Sequence, residues 1–407
     1  MTTRAEIAVT GVGVVSAFGT GLEALLEGLV SERSALGPLD LFATTFEIPP
    51  PVGQVRDPLD VPQPPGTWWS RTDRLAVTAA HEAWRSAGLG APARECCAVM
   101  VASTVGGLAD IDPAGALDPA AYYRSGGHRT ASSYPVSSPA DAVAASLGLG
   151  GSRLGLSVAC ASGAVAIADA ARRIRRGETT IAIAGGADAL CAFTLAGFQS
   201  LRALDAACCR PFDRSRAGLN LGEGAAVLVL EDLAGARARG ATVHAVLSGW
   251  AFTNDAFHPT APDEQGRGLA AGIGGALRTA GVDPEAIGYV NAHGTGTPLN
   301  DVAEVRAYET AFAGRSSPVP VSSTKSYLGH TLGAAGAIEA LITILALRKG
   351  RLFPTLRLVD PIETPRVDWI RGGGRETPMR AAMSVSAGFG GSNAALLFER
   401  GDGAERS

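Results

Sequence analysis

A chain of 407 residues with 46% hydrophobic content can bury one large core or two fused ones, and its length favours two similar domains. Thirty-five basic against 39 acidic residues, a formal charge of -4, argue against a nucleic-acid binder, and no apolar run is long enough to span a bilayer. The six cysteines fall as Cys96-Cys97, Cys208-Cys209, Cys160 and Cys191 without a C-x-x-C spacing, so free thiols in a reducing cytoplasm are expected, with no metal site.

Met1 to Glu6 leads directly into Ile7-Ala8-Val9-Thr10, which reads as a first strand and not as a signal peptide. The strand predicted over Ile7 to Val15 is followed by helical periodicity from Gly19 to Val30. Between them, G-V-G-V-V-S-A-F-G lacks the G-x-G-x-x-G spacing of a dinucleotide site, so no cofactor is expected. Leu39 to Gly66 is rich in proline and acidic residues and reads as an irregular excursion. Arg71 to Leu89 returns as an amphipathic helix with Leu75, Ala79, Ala83 and Trp84 on its buried side, and Cys97 to Ala102 as a buried strand. The loop Ser103 to Gly107 then sits where α/β proteins line their sites. Asp110 to Tyr134 has no apolar period and is expected to be a long cap or partner-facing loop, before a helix over Pro139 to Leu149.

Cys160 stands where a short strand, Leu154 to Val158, runs into an alanine-rich helix ending at Gly177. A thiol at a helix N-terminus faces free N-H groups and the positive end of the dipole, which favour the thiolate and suggest a nucleophile. A plain buried cysteine is the alternative at this point. Thr180 to Ala184 is predicted as a strand closed by Gly185-Gly186, with a helix over Leu195 to Leu204 and strands over Ala225 to Leu230 and Val243 to Gly249. Gly268 to Ala280 follows as a helix, and the alternation throughout predicts an α/β layered fold.

One segment echoes another. Gly163 to Gly177 and Gly336 to Gly350 have equal length, begin Gly-Ala and end in two basic residues before glycine. Two equivalent buried helices are implied, each central to one half of a duplicated α/β unit with a pseudo-twofold axis. The second half adds two histidines beside glycine: His293 in N-A-H-G-T-G-T-P after the strand Ile287 to Val290, and His330 in S-S-T-K-S-Y-L-G-H, with Lys325 nearby. Met383 to Asn393 turns through glycines around Phe389, a pattern that lets backbone N-H groups approach a ligand.

With V-A-C-A-S-G, N-A-H-G-T-G-T-P-L-N-D-V-A-E, S-S-T-K-S-Y-L-G-H-T-L-G-A-A-G and G-F-G-G-S-N in order along nearly the whole chain, the sequence resembles the β-ketoacyl-acyl-carrier-protein synthases of the thiolase superfamily, from dissociated fatty-acid and type II polyketide systems. The resemblance implies a thiolase-like, duplicated five-layered αβαβα fold, with residues 1–240 supplying the nucleophile and 241–407 the histidines. It implies that Cys160 takes an acyl chain from an acyl-carrier protein, and that His293 and His330 bind a malonyl thioester and stabilise the enolate left by decarboxylation. Lys325 would support the histidines with Glu304 as its counter-ion, while the N-H groups of Cys160 and Phe389 form an oxyanion hole and Phe389 acts as a gate. Thr295, Thr297, Gly388 and Gly390 would contact substrate, and Arg71, Arg74, Arg210, Arg214 and Arg216 would offer a landing surface to the acidic carrier. The expected partners are the carrier protein and either a second copy of the chain or a ketosynthase-like chain-length subunit.

Two positions depart from the commoner family pattern: Leu219-Asn220 replaces an aromatic and a valine, and Ala387 stands where many relatives have phenylalanine. A wider pocket or simple repacking would follow. The rival readings are an acyltransferase or cyclising enzyme on the same scaffold, which would not need both histidines, and a non-catalytic chain-length subunit, against which Cys160 speaks.

Overall fold

The computed structural model describes residues 6–44, 46–110 and 133–401. Most of the loop expected over 110–134 therefore lies outside the described residues, as does the start of the N-terminal segment. The first half runs β1 (Ile7–Ser16), α1 (Arg71–Ala87), β2 (Ala98–Ala102), α2 (Ser138–Leu147), β3 (Arg153–Leu154), α3 (Ser162–Arg175), β4 (Ile181–Asp188) and β5 (Gly224–Asp232). The second runs β6 (Ala245–Asn254), α4 (Arg267–Ala280), β7 (Ile287–Asn291), α5 (Pro298–Ala311), β8 (Val319–Ser322), α6 (Ala335–Lys349), β9 (Val367–Trp369), β10 (Ala381–Gly388) and β11 (Ser392–Arg400). Residues 39–66 are irregular apart from isolated bridges such as Gly37 to Val52. Among the described residues, no helix is long and apolar enough to cross a membrane.

The strand order makes the duplication explicit. Reading outward from the middle, one side is β1-β5-β4-β2-β3 and the other β6-β11-β10-β7-β8, with β9 beyond it. On both sides the first two pairings are antiparallel and the next two parallel. β1 and β6 join the sides through the antiparallel pairs Ile7 to Leu247, Ala8 to Val246 and Val9 to Ala245.

Strand alternation sorts the side chains into layers. From β5, Ala226, Leu228 and Leu230 face a central core built with α3 and α6, while Ala225, Val227 and Val229 face the outer helices α1 and α2. From β11, Ala394, Leu396 and Phe398 enter the same central core, and Ala395 and Leu397 turn to α4 and α5. Helices, sheet, helices, sheet, helices is the resulting order.

α3 and α6 are the two echoed segments, and they touch where each begins. An added Cβ on Gly163 would sit 2.9 Å from the Ala337 nitrogen, and one on Gly336 would sit 2.8 Å from the Ala164 Cβ. The paired Gly-Ala steps thus meet reciprocally, each glycine against the other helix's alanine, and only glycine allows so close an approach. Both helices carry basic residues in the last turn and end before a glycine with positive φ, Gly177 at 71° and Gly350 at 63°.

Two strands differ from expectation. The one before Cys160 is only Arg153–Leu154, because the chain leaves the sheet to form the turn that carries the cysteine. β4 does not stop at Gly185-Gly186 but continues to Asp188. It can do so because Gly186 passes the Gly333 carbonyl, which lies 2.6 Å from where a Cβ would stand.

Candidate active site

Cys160 lies one residue ahead of the Ala161 cap of α3, on a turn strained at Ala159, whose φ is 48°. Ser162 braces that turn, its Oγ accepting from Val158 N at 2.7 Å and donating to Ala159 O at 2.5 Å. The Phe389 N-H lies near the sulfur and favours its charged form. Gly388 runs alongside, close enough that a Cβ would stand 3.1 Å from the Cys160 nitrogen. The backbone of Gly388 and Phe389 therefore lies against the turn that carries Cys160.

The expected thiolate bias does not hold for the free site. Cys160 is 7% exposed, and burial pushes its thiol up to about 11, against the opposing pull of Lys325 and the Phe389 N-H. Desolvation of the charged form exceeds the stabilising groups, and burial of this kind cannot be read from a helix-start pattern. Alkylation of Cys160 by a small neutral reagent should accordingly quicken about tenfold per pH unit from pH 7 to about 10, as the thiolate fraction grows. A rate that levels off below pH 8, followed by mass spectrometry of the Cys160 peptide, would contradict this.

His293 follows β7, and His330 lies between the short helix Lys325–Leu328 and α6. The two rings stand 5.3 Å apart, nearly perpendicular at 84°. Lys325 Nζ reaches His293 Nδ1 at 3.2 Å and the His293 carbonyl at 2.6 Å. An ammonium only donates, so His293 Nδ1 is an acceptor and its proton sits on Nε2. The Leu332 N-H donates to His330 Nδ1 at 3.2 Å, which fixes the same tautomer there. Burial, followed by the charge of Lys325, holds both imidazoles well below their ordinary pKa, with His330 adding to the effect on His293. The site thus presents two neutral rings, each with an Nε2-H to donate.

The counter-ion of Lys325 is Glu339, not Glu304. Lys325 Nζ bonds Glu339 Oε1 in a pair that is 2% and 4% exposed. Burial pushes Glu339 up to about 7 in spite of the ammonium beside it. Glu304 instead shapes the histidine loop, accepting from His293 N at 2.7 Å, Gly294 N at 2.8 Å and the Tyr308 hydroxyl at 2.6 Å. Glu339 was missed in the sequence, although a lone carboxylate inside the otherwise apolar α6 was a usable signal.

A cavity of about 330 Å³ joins these parts, with Cys160, His293, His330, Phe389, Thr295, Thr297 and Gly388 in its wall. Gly390 is not in that wall; its N-H donates to the Pro259 carbonyl at 2.7 Å and its carbonyl accepts from Asn254 at 2.9 Å. Phe389, 36% exposed, stacks on Phe198, centroids 5.7 Å apart. Of the residues expected to depart from the commoner pattern, Leu219 and Ala387 line the cavity, whereas Asn220 binds the chain at Asp205, Ala207 and Cys209.

Of the five arginines read as a landing surface, Arg74 bonds the Trp69 carbonyl and Arg214 pairs with Glu363 at 2.7 Å on the surface, while Arg71 and Arg216 are largely buried and committed elsewhere. Arg71 forms a two-pronged pair with the buried Glu223, and Arg216 holds the carbonyls of Thr297 and Pro298 at the cavity mouth. Their guanidinium groups hold the fold together. All six cysteines are free.

The family model for the beta-ketoacyl synthase N-terminal domain matches residues 64–236, and that for the beta-ketoacyl synthase C-terminal domain matches residues 244–359. The chain is 34% identical over 415 residues to 3-oxoacyl-[acyl-carrier-protein] synthase 2 of Synechocystis sp., covering 98% of each protein. It superposes on the ishigamide ketosynthase/chain length factor with a TM-score of 0.90 at 33% identity, over 98% of this chain and 100% of that one. It also superposes, with a TM-score of 0.86 at 28% identity and the same coverage, on a structure of a type II PKS acyl-carrier protein in complex with its ketosynthase bound to the hexaketide.

Proposed function

The chain belongs to the β-ketoacyl synthase family, and from that premise we propose that it is a 3-oxoacyl-[acyl-carrier-protein] synthase of fatty-acid or type II polyketide biosynthesis. The single observation that carries the mechanism is the meeting of one thiol and two Nε2-H imidazoles at one cavity.

In this reading Cys160 attacks the thioester of an acyl-carrier protein. The carbonyl oxygen takes the negative charge between the N-H groups of residues 160 and 389, and the carrier thiol leaves. Because the resting thiol is protonated, its proton leaves on the departing carrier sulfur, so the exchange balances and both imidazoles keep their Nε2-H for the next step. A malonyl-carrier thioester then enters with its carbonyl oxygen against Nε2-H of His293 and His330. Loss of carbon dioxide leaves an enolate held by those two donors, and its carbon attacks the acyl group on Cys160. Collapse of the resulting oxyanion releases the 3-oxoacyl-carrier product and restores the sulfur. Donors fixed in place before charge develops each lower such a barrier by ~3 kcal/mol. Lys325, neutralised by Glu339, keeps His293 in the required tautomer.

Partners follow the same logic: a carrier protein delivers both substrates, and a second ketosynthase-like chain, identical or of the chain-length type, completes the assembly. We assign the two halves to residues 1–240 and 241–407, supported by the break between the family matches at 236 and 244 and by the recurrence of the strand order from β6 onward. Six unpaired thiols suit a reducing compartment, and the cytoplasm is the location assigned. Incubated with acyl-carrier and malonyl-carrier proteins, the enzyme should release carbon dioxide and yield a carrier heavier by a two-carbon 3-oxo extension, read by intact mass. Acyl exchange between carriers without carbon dioxide release would favour the plain acyltransferase instead.

A further inference from the structure

Asp188 ends β4 fully buried, and its carboxylate gathers donors from both halves of the molecule. Oδ1 accepts from Ser103 Oγ at 2.6 Å and from the N-H groups of Thr104 and Val105, each at 2.9 Å. Oδ2 accepts from Thr104 Oγ1 at 2.5 Å and, across the interface between halves, from Gly333 N at 2.6 Å. A carboxylate buried among uncharged donors is costly, and its charge opposes ionisation of the nearby Cys160. Activation of the sulfur therefore does not account for it.

Position does. Gly333 follows Leu332, a non-glycine residue held in the left-handed region at φ 51°, and the Leu332 N-H is the group that bonds His330 Nδ1. A backbone strained at that residue persists only if its neighbours hold it. The neighbour on one side is fixed by Asp188 with no slack, since a Cβ on Gly333 would stand 2.7 Å from Oδ2 and 3.1 Å from Thr104 N.

We propose that Asp188 is a positioning residue for His330: by pinning Gly333 it keeps Leu332 strained, and the Leu332 N-H in turn keeps His330 in the Nε2-H tautomer. The role assumed for His330 rests on the condensing-enzyme reading, but the tautomer itself can be measured without any turnover. In the full-length protein, imidazole ¹⁵N signals assigned by their loss in His330→Ala should report one tautomer for His330. In Asp188→Asn they should report a mixture, and malonyl-carrier decarboxylation should slow about tenfold or more while Cys160 acylation stays within about threefold. Ser103→Ala removes a donor from the same carboxylate without touching Gly333 and should leave the His330 signals unchanged. An unaltered tautomer in Asp188→Asn overturns the proposal, as does an equal mixture in Ser103→Ala. Should Asp188→Asn fail to fold, Asp188→Glu carries the same test, because its longer arm keeps the charge but displaces the acceptor from the Gly333 N-H. A wild-type tautomer in that variant likewise overturns the proposal.

Discussion

Replacing Cys160 with alanine is expected to abolish the acyl adduct and to lower condensation by at least about 10⁴-fold, since no other group at the cavity can hold the thioester. The substitution removes one sulfur atom from a site already braced by Ser162 and Gly388, so the fold should survive it. Peptide mapping is essential to the measurement, because Cys96 is exposed and can exchange acyl groups without any help from the site. The decisive signal is the mass of the Cys160 peptide in the parent enzyme and its unacylated counterpart in the variant. If the variant still forms a 3-oxo product at an appreciable rate, the nucleophile has been misassigned.

His293→Ala and His330→Ala should each slow malonyl decarboxylation by about 10²- to 10³-fold while slowing acylation of Cys160 far less, because enolate charge develops only in the first of these steps. Neither ring needs to change charge. Burial and Lys325 hold both well below the ordinary histidine range, so they are neutral on either side of pH 6.5. Wild-type decarboxylation should therefore show no histidine inflection between about pH 6 and 7.5. Equal loss of acylation and decarboxylation in both variants would assign the rings to structure alone; burial pushes Glu304 and Glu339 up to about 7, so an inflection near 6.5 that persists in Glu304→Gln and in Glu339→Gln would mean that the rings act as cations.

The architecture was largely legible because its cause is local and repeated. Gly-Ala opens both echoed segments for one reason, the reciprocal contact of Gly163 with Ala337 and of Gly336 with Ala164. The cysteine and histidine positions were legible for a related reason: each sits where a strand or turn meets a helix, flanked by small residues. Electrostatics was less so. Glu304 belongs to the motif that carries His293, which invited a role as counter-ion, yet its oxygens serve the backbone of that motif, and Lys325 finds Glu339. The thiol was expected to ionise because dipoles are visible in sequence and desolvation is not. Asp188 gave no signal at all, since its donors come from residues 103 to 105 and from residue 333.

The reciprocal seam between α3 and α6 has a consequence for descent. α3 and α6 meet through backbone and Cβ atoms, so neither helix can change shape at the seam by itself. A bulkier residue accepted at Gly163 requires a matching retreat at Ala337, and the same holds for Gly336 with Ala164. Chimeras that splice one half from a distant cousin inherit one side of a joint cut for another partner, and whole-chain exchange is the safer route to new chain lengths.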